Sequence, residues 1–263
     1  APGTDIILTE ERVLAARAFA NKIWNAARFI FLNMERSGVG PWLPPADAPR
    51  RPEAAGGTAA PSLEDRWILS RLNACAEQTS SAIARYRYHE AAQLLWQFFW
   101  HEFCDWYLEV KKLRLQENSG LNADWRNLLT VFEAALRLLH PVMPFITEEL
   151  WQRLSAGLPD RPPSIALARY PEHHPLAADA EAEREMELLR EIVVSARNVR
   201  ADLKLDPKQR SEAVLYARDG AAALALRERE AIEKLANVSL DVREQQAPPE
   251  AEGVLRSTTE FDL

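Results

Sequence analysis

The chain has 263 residues, of which 47% are hydrophobic and 27% charged, with a formal net charge of −7. That composition predicts a globular protein with one large domain, or a main domain with a small one, and the acidic balance alone argues against a nucleic-acid binder. No apolar run reaches the roughly 18 residues that span a bilayer, and no secretory signal pattern opens the chain, so we expect no membrane contact and a cytoplasmic location.

Three long helices are predicted in the first half of the chain. Residues 9–36 carry a helical pattern, and Thr9 is expected to be its N-cap. Residues 37–61 are rich in Pro, Gly and Ala, which predicts a flexible loop insertion. Ser62 is then expected to cap a second helix that runs to about Tyr86, and residues 88–116 predict a third helix loaded with aromatic side chains.

Shorter elements follow these three helices. Helices are predicted over residues 122–140, 145–155 and 179–203, with a short extended segment over 164–171. Helices of these lengths joined by short loops predict a mainly α fold, an antiparallel bundle over residues 1–210.

The tail changes character after residue 210. Strands are predicted over residues 212–218, 238–243 and 257–263, with a helix over residues 220–236. We interpret residues 211–263 as a small α/β subdomain with a truncated end. The first residue is not methionine and the last residues read as the start of a strand, so we expect a piece of a longer protein.

Motifs that carry chemistry are missing. The sequence contains no GxxxxGK[ST], GxGxxG, HExxH or GxSxG pattern. Its five histidines lack metal-ligand spacing, and its two cysteines, Cys75 and Cys104, form no CxxC pair. We therefore expect no catalytic residue, no metal site and no cofactor in this chain, and a reducing environment for its thiols.

The first helix has two distinct faces at about 100° per residue. Its apolar stripe predicts the core face and consists of Val13, Ala16, Ala20, Ile23, Ala27 and Ile30. The opposite face contains Ala18, Lys22, Asn25, Phe29, Asn33 and Arg36. Phe29 is thereby surrounded by Arg28, Lys22 and Asn25, with Arg17 further along the same side. An aromatic ring with amide and basic neighbours suits an unstacked base and its phosphate. The alternative is that Phe29 packs against another helix or the 37–61 loop.

A second basic run lies on the predicted helix over residues 179–203. Arg197, Arg200 and Lys204 are spaced i, i+3 and i+7, which places them on one face. Two interpretations stay open, a contact with phosphate or a solvated helix surface.

Several segments resemble a known family. AFANKIWNAARFIF, FFWHEFCDWYLEVKK and LHPVMPFITEELWQRL occur in this order. Their spacing is similar to that in the anticodon-binding region of class I aminoacyl-tRNA synthetases for branched aliphatic amino acids. The third string is shared by the valine, isoleucine and leucine enzymes, whereas the first two, and SARNVRADLKLDPKQ after them, resemble the valine enzymes in particular. The resemblance covers residues 1–218 and is looser beyond them.

The resemblance implies a function for the parent protein. Valyl-tRNA synthetases join valine to its tRNA through a valyl-adenylate, with ATP and Mg²⁺. The HIGH-type and KMSKS-type motifs of their catalytic domain are absent here. A monomeric, inactive piece is therefore implied, whose catalytic and editing domains lie elsewhere in the same chain.

The resemblance also implies a partner, the anticodon arm of tRNA(Val). Phe29 and Arg28 match family residues that face the anticodon, and Lys22, Asn25 and Arg17 match less closely. Two alternatives remain: a helical protein-interaction scaffold, or the equivalent bundle of an isoleucyl- or leucyl-tRNA synthetase.

Overall fold

The computed structural model describes residues 9–44, 61–115, 119–217, 219–244, 257–258 and 260–263. The chain separates into two compact units, Ala1–Ala178 and Asp179–Leu263. The greater part of the predicted 37–61 loop, residues 45–60, lies outside the described residues.

The first unit is built from helices. They are α1 (Glu10–Arg36), α2 (Leu63–Ala84), α3 (Tyr88–Trp96), α4 (Leu108–Arg114), α5 (Ala123–Leu139) and α6 (Pro144–Leu154). A π-helical segment, Gln97–Tyr107, joins α3 to α4, so the predicted third helix is one continuous rod from Tyr88 to Arg114. The mainly α bundle predicted from the sequence is confirmed. The segment over 164–171 is not extended throughout, because Ile165–Leu167 forms a 3₁₀ turn.

Side-chain caps begin the long helices where the sequence predicts them. The backbone N–H of Arg12 donates to Thr9 Oγ1 at 3.4 Å, and that of Asp65 donates to Ser62 Oγ at 3.4 Å. Each cap satisfies a backbone donor that has no partner within its helix. Both predicted helix starts are therefore confirmed.

Aromatic rings from the rod and α5 fill the core of this unit. The rings of Phe99 and Phe103 lie 5.2 Å apart, those of Phe103 and Tyr107 5.8 Å, and those of Phe103 and Phe132 6.1 Å. All four side chains are fully buried. The aromatic-rich helix thus supplies much of the core through these rings, whereas Trp96 within it is exposed.

The buried stripe of α1 is shorter than its sequence pattern. Ile23, Ala27 and Ile30 are buried as predicted, but Val13 and Ala16 are exposed. The prediction that these two lie in the core is wrong for the described structure. Periodicity shows which face of a helix is apolar and does not show how far along the helix its neighbours extend.

The second unit combines a long helix with a small sheet. Its elements are α7 (Ala180–Asp202), β1 (Ser211–Ala217), α8 (Asp219–Arg227), α9 (Arg229–Ala236), β2 (Val238–Arg243) and β3 (Phe261–Asp262). The strand order is β2-β1-β3, with β1 and β2 parallel and β3 antiparallel to β1. Parallel pairing requires a crossover connection, which α8 and α9 supply. The predicted β-α-β unit is present, with its single predicted helix divided in two.

The structure groups α7 differently from the sequence-based division at residue 210. Helix α7 packs against α8 and α9 and belongs to the second compact unit. Length and periodicity made it resemble another bundle helix, but only the position of its packing partners decides its unit. No helix among the described residues has the length and apolar character that would span a membrane.

Candidate nucleic-acid interface

Helix α1 has an exposed side in the same part of the helix in which its other side, from Ile23 onward, is buried. Opposite the buried residues lie Asn21, Asn25, Arg28 and Leu32, all exposed. Their spacing of four, three and four residues follows the helix repeat. We call these four residues the α1 face. It contains two amides, a guanidinium and an aliphatic side chain.

Phe29 lies at one edge of the α1 face and is half-buried. The Nζ of Lys112, on α4, lies 5.2 Å from the centre of its ring. The same Nζ donates to Glu109 Oε1 at 2.5 Å. Phe29 thus has a partner on a neighbouring helix, as in the packing alternative, while part of its ring stays accessible, as a stacking role requires.

Lys22 is engaged along the same edge. Its Nζ lies 2.8 Å from Asp105 Oδ1 and 5.4 Å from the centre of the Trp100 ring. Asp105 also contacts His101 Nδ1 through its other oxygen, at 3.1 Å. In this structure the Lys22 ammonium ties α1 to the π-helical segment.

A second aromatic borders the α1 face at the opposite edge. Trp24 is 39% exposed, and the guanidinium carbon of Arg153, on α6, lies 5.2 Å from its ring centre. Arg153 Nε donates to Glu149 Oε1 at 2.7 Å. The sequence pattern did not indicate this residue, because Trp24 lies on neither of the two stripes. The sequence does place Trp24 four residues before Arg28, so the two are neighbours on the helix surface.

Arg17, Asn25 and Arg28 are exposed, as the sequence predicts. Among the residues that the structure describes, no carboxylate pairs with Arg17 or Arg28. Arg17 lies eleven residues before Arg28, or about 16 Å along the helix axis. Arg28 therefore belongs to the α1 face, and Arg17 lies beyond it toward the start of α1.

The second basic run does not form one open face. Arg200 is 8% exposed, and its guanidinium donates to Ser211 Oγ at 2.6 Å and to the carbonyls of Asp206 at 3.0 Å and Gln209 at 2.6 Å. This environment argues against Arg200 as a phosphate contact, because its guanidinium is buried and makes three hydrogen bonds within its own unit. Arg197 is exposed and donates to the Leu235 carbonyl at 2.9 Å, and Lys204 is exposed.

A buried polar network anchors α4 behind Lys112. Lys111 is fully buried, and its Nζ lies 2.7 Å from Asp65 Oδ2 and 2.5 Å from Asp124 Oδ1. Asp65 also accepts from the Tyr107 hydroxyl at 2.7 Å and from Asn127 Nδ2 at 2.9 Å.

The network also sets the charge state of Lys111. Burial disfavours its charged form, but Asp65, Glu64 and Asp124 outweigh that effect and raise its pKa. The network joins the start of α2, the end of the rod and the start of α5, and so fixes α4. No sequence pattern indicates this network, because its members are far apart in the chain.

Two further observations concern the groups available for chemistry. Within the described ranges, no group of three or more His, Cys, Asp or Glu residues is arranged to hold a metal ion. Both cysteines are buried thiols, and burial raises the pKa of Cys75 to about 11 and that of Cys104 to about 12. The exposed side chains of α1 are suited to binding through rings, amides and cations.

Comparisons with known proteins point to one group of enzymes. A family model described as the anticodon-binding domain of tRNA ligase matches residues 65–215. The chain is 53% identical over its whole length to the valine–tRNA ligase of Solibacter usitatus, and covers 28% of it. It is 42% identical to the valine–tRNA ligase of Geobacter sulfurreducens, over 82% of this chain and 23% of that protein. The chain thus spans about a quarter of the length of these relatives.

Proposed function

Because this chain belongs to the family of anticodon-binding domains of tRNA ligases, we propose that it binds the anticodon arm of tRNA(Val) as part of a valine–tRNA ligase. The family match supports the tRNA arm as the ligand. The valine–tRNA ligases among its relatives support tRNA(Val) over the isoleucine and leucine tRNAs.

The observation that carries this proposal is the α1 face. Asn25 and Arg28 lie exposed between two accessible aromatic rings, Trp24 and Phe29. Proteins read single-stranded RNA loops by stacking unpaired bases on rings and by hydrogen bonds to base edges. The α1 face offers both kinds of contact along one stretch of helix.

Local charge favours RNA despite the acidic total. Arg17, Arg28 and Arg36 are exposed along α1, and Lys112 is 38% exposed beside Phe29. Binding to a polyanion depends on the field at the contact surface, so a net charge of −7 spread over the whole chain does not oppose it.

The parent reaction is the joining of valine to tRNA with ATP and Mg²⁺. Within the described residues no group of three or more His, Cys, Asp or Glu residues is arranged to hold a metal ion, and we assign ATP and Mg²⁺ to the catalytic domain of the parent enzyme. No chemical step is assigned to these residues. Their role is to hold the tRNA for catalytic and editing domains in the same polypeptide, in the cytoplasm.

The experiment is a titration of the purified chain into fluorescently labelled tRNA(Val), followed by anisotropy at several salt concentrations. We expect the logarithm of the association constant to fall linearly with the logarithm of salt concentration, as counterions are released from phosphates. An unlabelled hairpin of the valine anticodon arm should compete, and isoleucine and leucine tRNAs should compete less well.

Two results would contradict the proposal. Absence of tRNA binding at low salt would remove the RNA function and favour a protein-interaction scaffold, whose apolar contact would not weaken steeply with salt. Equal competition by all three tRNAs would remove the valine assignment and leave a general tRNA-binding bundle.

A further inference from the structure

We propose that the α1 face holds two unpaired bases of one RNA strand, one on Phe29 and a second on Trp24, so that the strand crosses α1 between them. This inference rests on the proposed function and adds a binding residue, Trp24, to it. The base at Trp24 belongs to the single-stranded part of the RNA and not to a duplex stem.

Trp24 has open ring surface that the core tryptophans lack. It is 39% exposed, whereas Trp125 and Trp151 are 0% and 1% exposed. Arg153 lies over the Trp24 ring at 5.2 Å. A ring has two faces, so the guanidinium on one side leaves surface for a base, and every base can stack because every base has a π face.

The two rings have matching surroundings. At Phe29 the cation is Lys112, held by Glu109 at 2.5 Å. At Trp24 the cation is Arg153, whose contact with a carboxylate oxygen on its own helix is 2.7 Å. Each cation comes from a helix beside α1, so each edge of the α1 face presents an aromatic ring next to a cation that is paired with a glutamate on its own helix. A strand that stacks on either ring has a cation within reach of its phosphates.

Helix geometry excludes a stacked duplex as the occupant of both rings. Trp24 and Phe29 are separated by about 7.5 Å along the axis and about 140° around it. Stacked nucleotides rise only roughly 3.4 Å per base. Bases that reach both rings must therefore be splayed apart, as they are in recognised RNA loops. Asn25 and Arg28 lie between the rings and face the intervening backbone and base edges.

The test uses the full chain and hairpins of the valine anticodon arm that carry 2-aminopurine at one loop position each. Stacking on a ring changes the fluorescence of the probe, so the set of hairpins maps which loop position meets which ring. Trp24→Leu and Phe29→Leu keep an apolar side chain and remove the ring. Phe145→Leu is the matched control, because Phe145 is 90% exposed and lies in the first turn of α6, eight residues or about 12 Å along the helix before Arg153.

We expect Trp24→Leu to weaken hairpin binding by about 5- to 150-fold, the range for one lost base stack. Trp24→Leu and Phe29→Leu should alter the probe signal at different loop positions, and Phe145→Leu should alter neither signal nor affinity. Trp24→Phe should restore most of the affinity, because it restores a ring. Recovery of affinity by Trp24→Phe would also distinguish a lost base stack from a lost fold. Circular dichroism of Trp24→Leu would show directly whether that variant folds.

Other outcomes overturn the inference in distinguishable ways. If Trp24→Leu folds and binds within twofold of wild type while Phe29→Leu binds weakly, Trp24 only ties α1 to α6, and the proposed function survives. If both variants change the same loop position, one base and not two lies on the α1 face. If the wild-type chain binds no hairpin, the proposed function fails together with the inference.

Discussion

The Nζ of Lys112 lies 5.2 Å from the centre of the Phe29 ring, which joins an exposed edge of α1 to α4. The preceding residue of α4, Lys111, points into the core and is fully buried against Asp65. Neighbours in a helix differ by about 100° in direction, so one turn of α4 supplies both a core ion pair and a surface cation. The buried pair fixes the helix that presents Lys112.

Replacement of the Phe29 ring is expected to weaken tRNA binding. Phe29→Ala should reduce the free energy of binding to tRNA(Val) by about 1–3 kcal/mol, the value of one base stack. Anisotropy titration measures this. Tyr88→Ala, at a ring 59% exposed at the start of α3, is the control and should bind as wild type. Undiminished binding by Phe29→Ala would remove Phe29 from the interface.

We expect Arg28 to contribute to tRNA binding through its charge and not to the stability of the fold. Arg28→Gln should weaken tRNA binding and reduce the slope of log affinity against log salt by about 1, because one phosphate contact is lost. Its unfolding free energy should stay within about 0.5 kcal/mol of wild type, as for an exposed surface change. An unchanged salt slope would show that Arg28 does not touch phosphate.

We expect Arg200, in contrast to Arg28, to contribute to the stability of the fold. Arg200→Met removes buried donors from Ser211 and from two carbonyls, and should lower the unfolding free energy by about 2–4 kcal/mol. Arg197→Met, at an exposed position in the same helix, is the control and should cost less than about 1 kcal/mol. Urea unfolding measures both. Equal stability of the two variants would contradict the role inferred for Arg200.

Substitutions of the two adjacent lysines of α4 should differ in their effects on the unfolding free energy and on tRNA binding. Lys111→Met leaves Asp65 buried without its cation and should cost about 3–5 kcal/mol of unfolding free energy. Lys112→Met should leave stability nearly unchanged and weaken tRNA binding. If Lys111→Met is as stable as Lys112→Met, the ion pair does not anchor α4.

The pH dependence of that stabilisation follows from the raised pKa of Lys111. Burial lowers this pKa, but the nearby carboxylates raise it by more than burial lowers it. The net pKa therefore lies above the ordinary 10.5. Because the folded-state pKa is the higher one, the stabilisation is fully present below the unfolded value and is lost only as pH rises through the folded value. The stability difference between wild type and Lys111→Met should therefore be constant from pH 7 to pH 9 in urea titrations.

Both thiols should be unreactive in the native protein. Burial raises the pKa of Cys75 to about 11 and of Cys104 to about 12, so little thiolate exists at pH 8. A thiol reagent such as DTNB should label neither cysteine under native conditions and both in denaturant. Rapid native labelling would contradict the burial of these side chains.

Much of the fold follows from local sequence. Thr9 and Ser62 begin helices because their hydroxyls accept from backbone donors three residues on, a contact that needs no distant partner. The stripe from Ile23 to Ile30 is likewise a short-range pattern that predicts a buried face, and the run over residues 212–218 predicts the strand that the structure contains as β1. The exposed positions of Arg28, Asn25 and Arg17 were predicted by the same helical geometry.

The rest depended on which elements lie beside each other. Helical periodicity indicates a direction for each side chain and contains no information on whether a neighbour is present there. Only the positions of α4 and α6 show that Phe29 is half-buried beneath Lys112 and that Trp24 borders the α1 face beside Arg153. In the same way, the absence of a described neighbour leaves Val13 exposed, and the turn after α7 draws Arg200 inward. Sequence alone determined the helices and their apolar faces, whereas packing between distant segments decided which cations and rings stay open to a ligand.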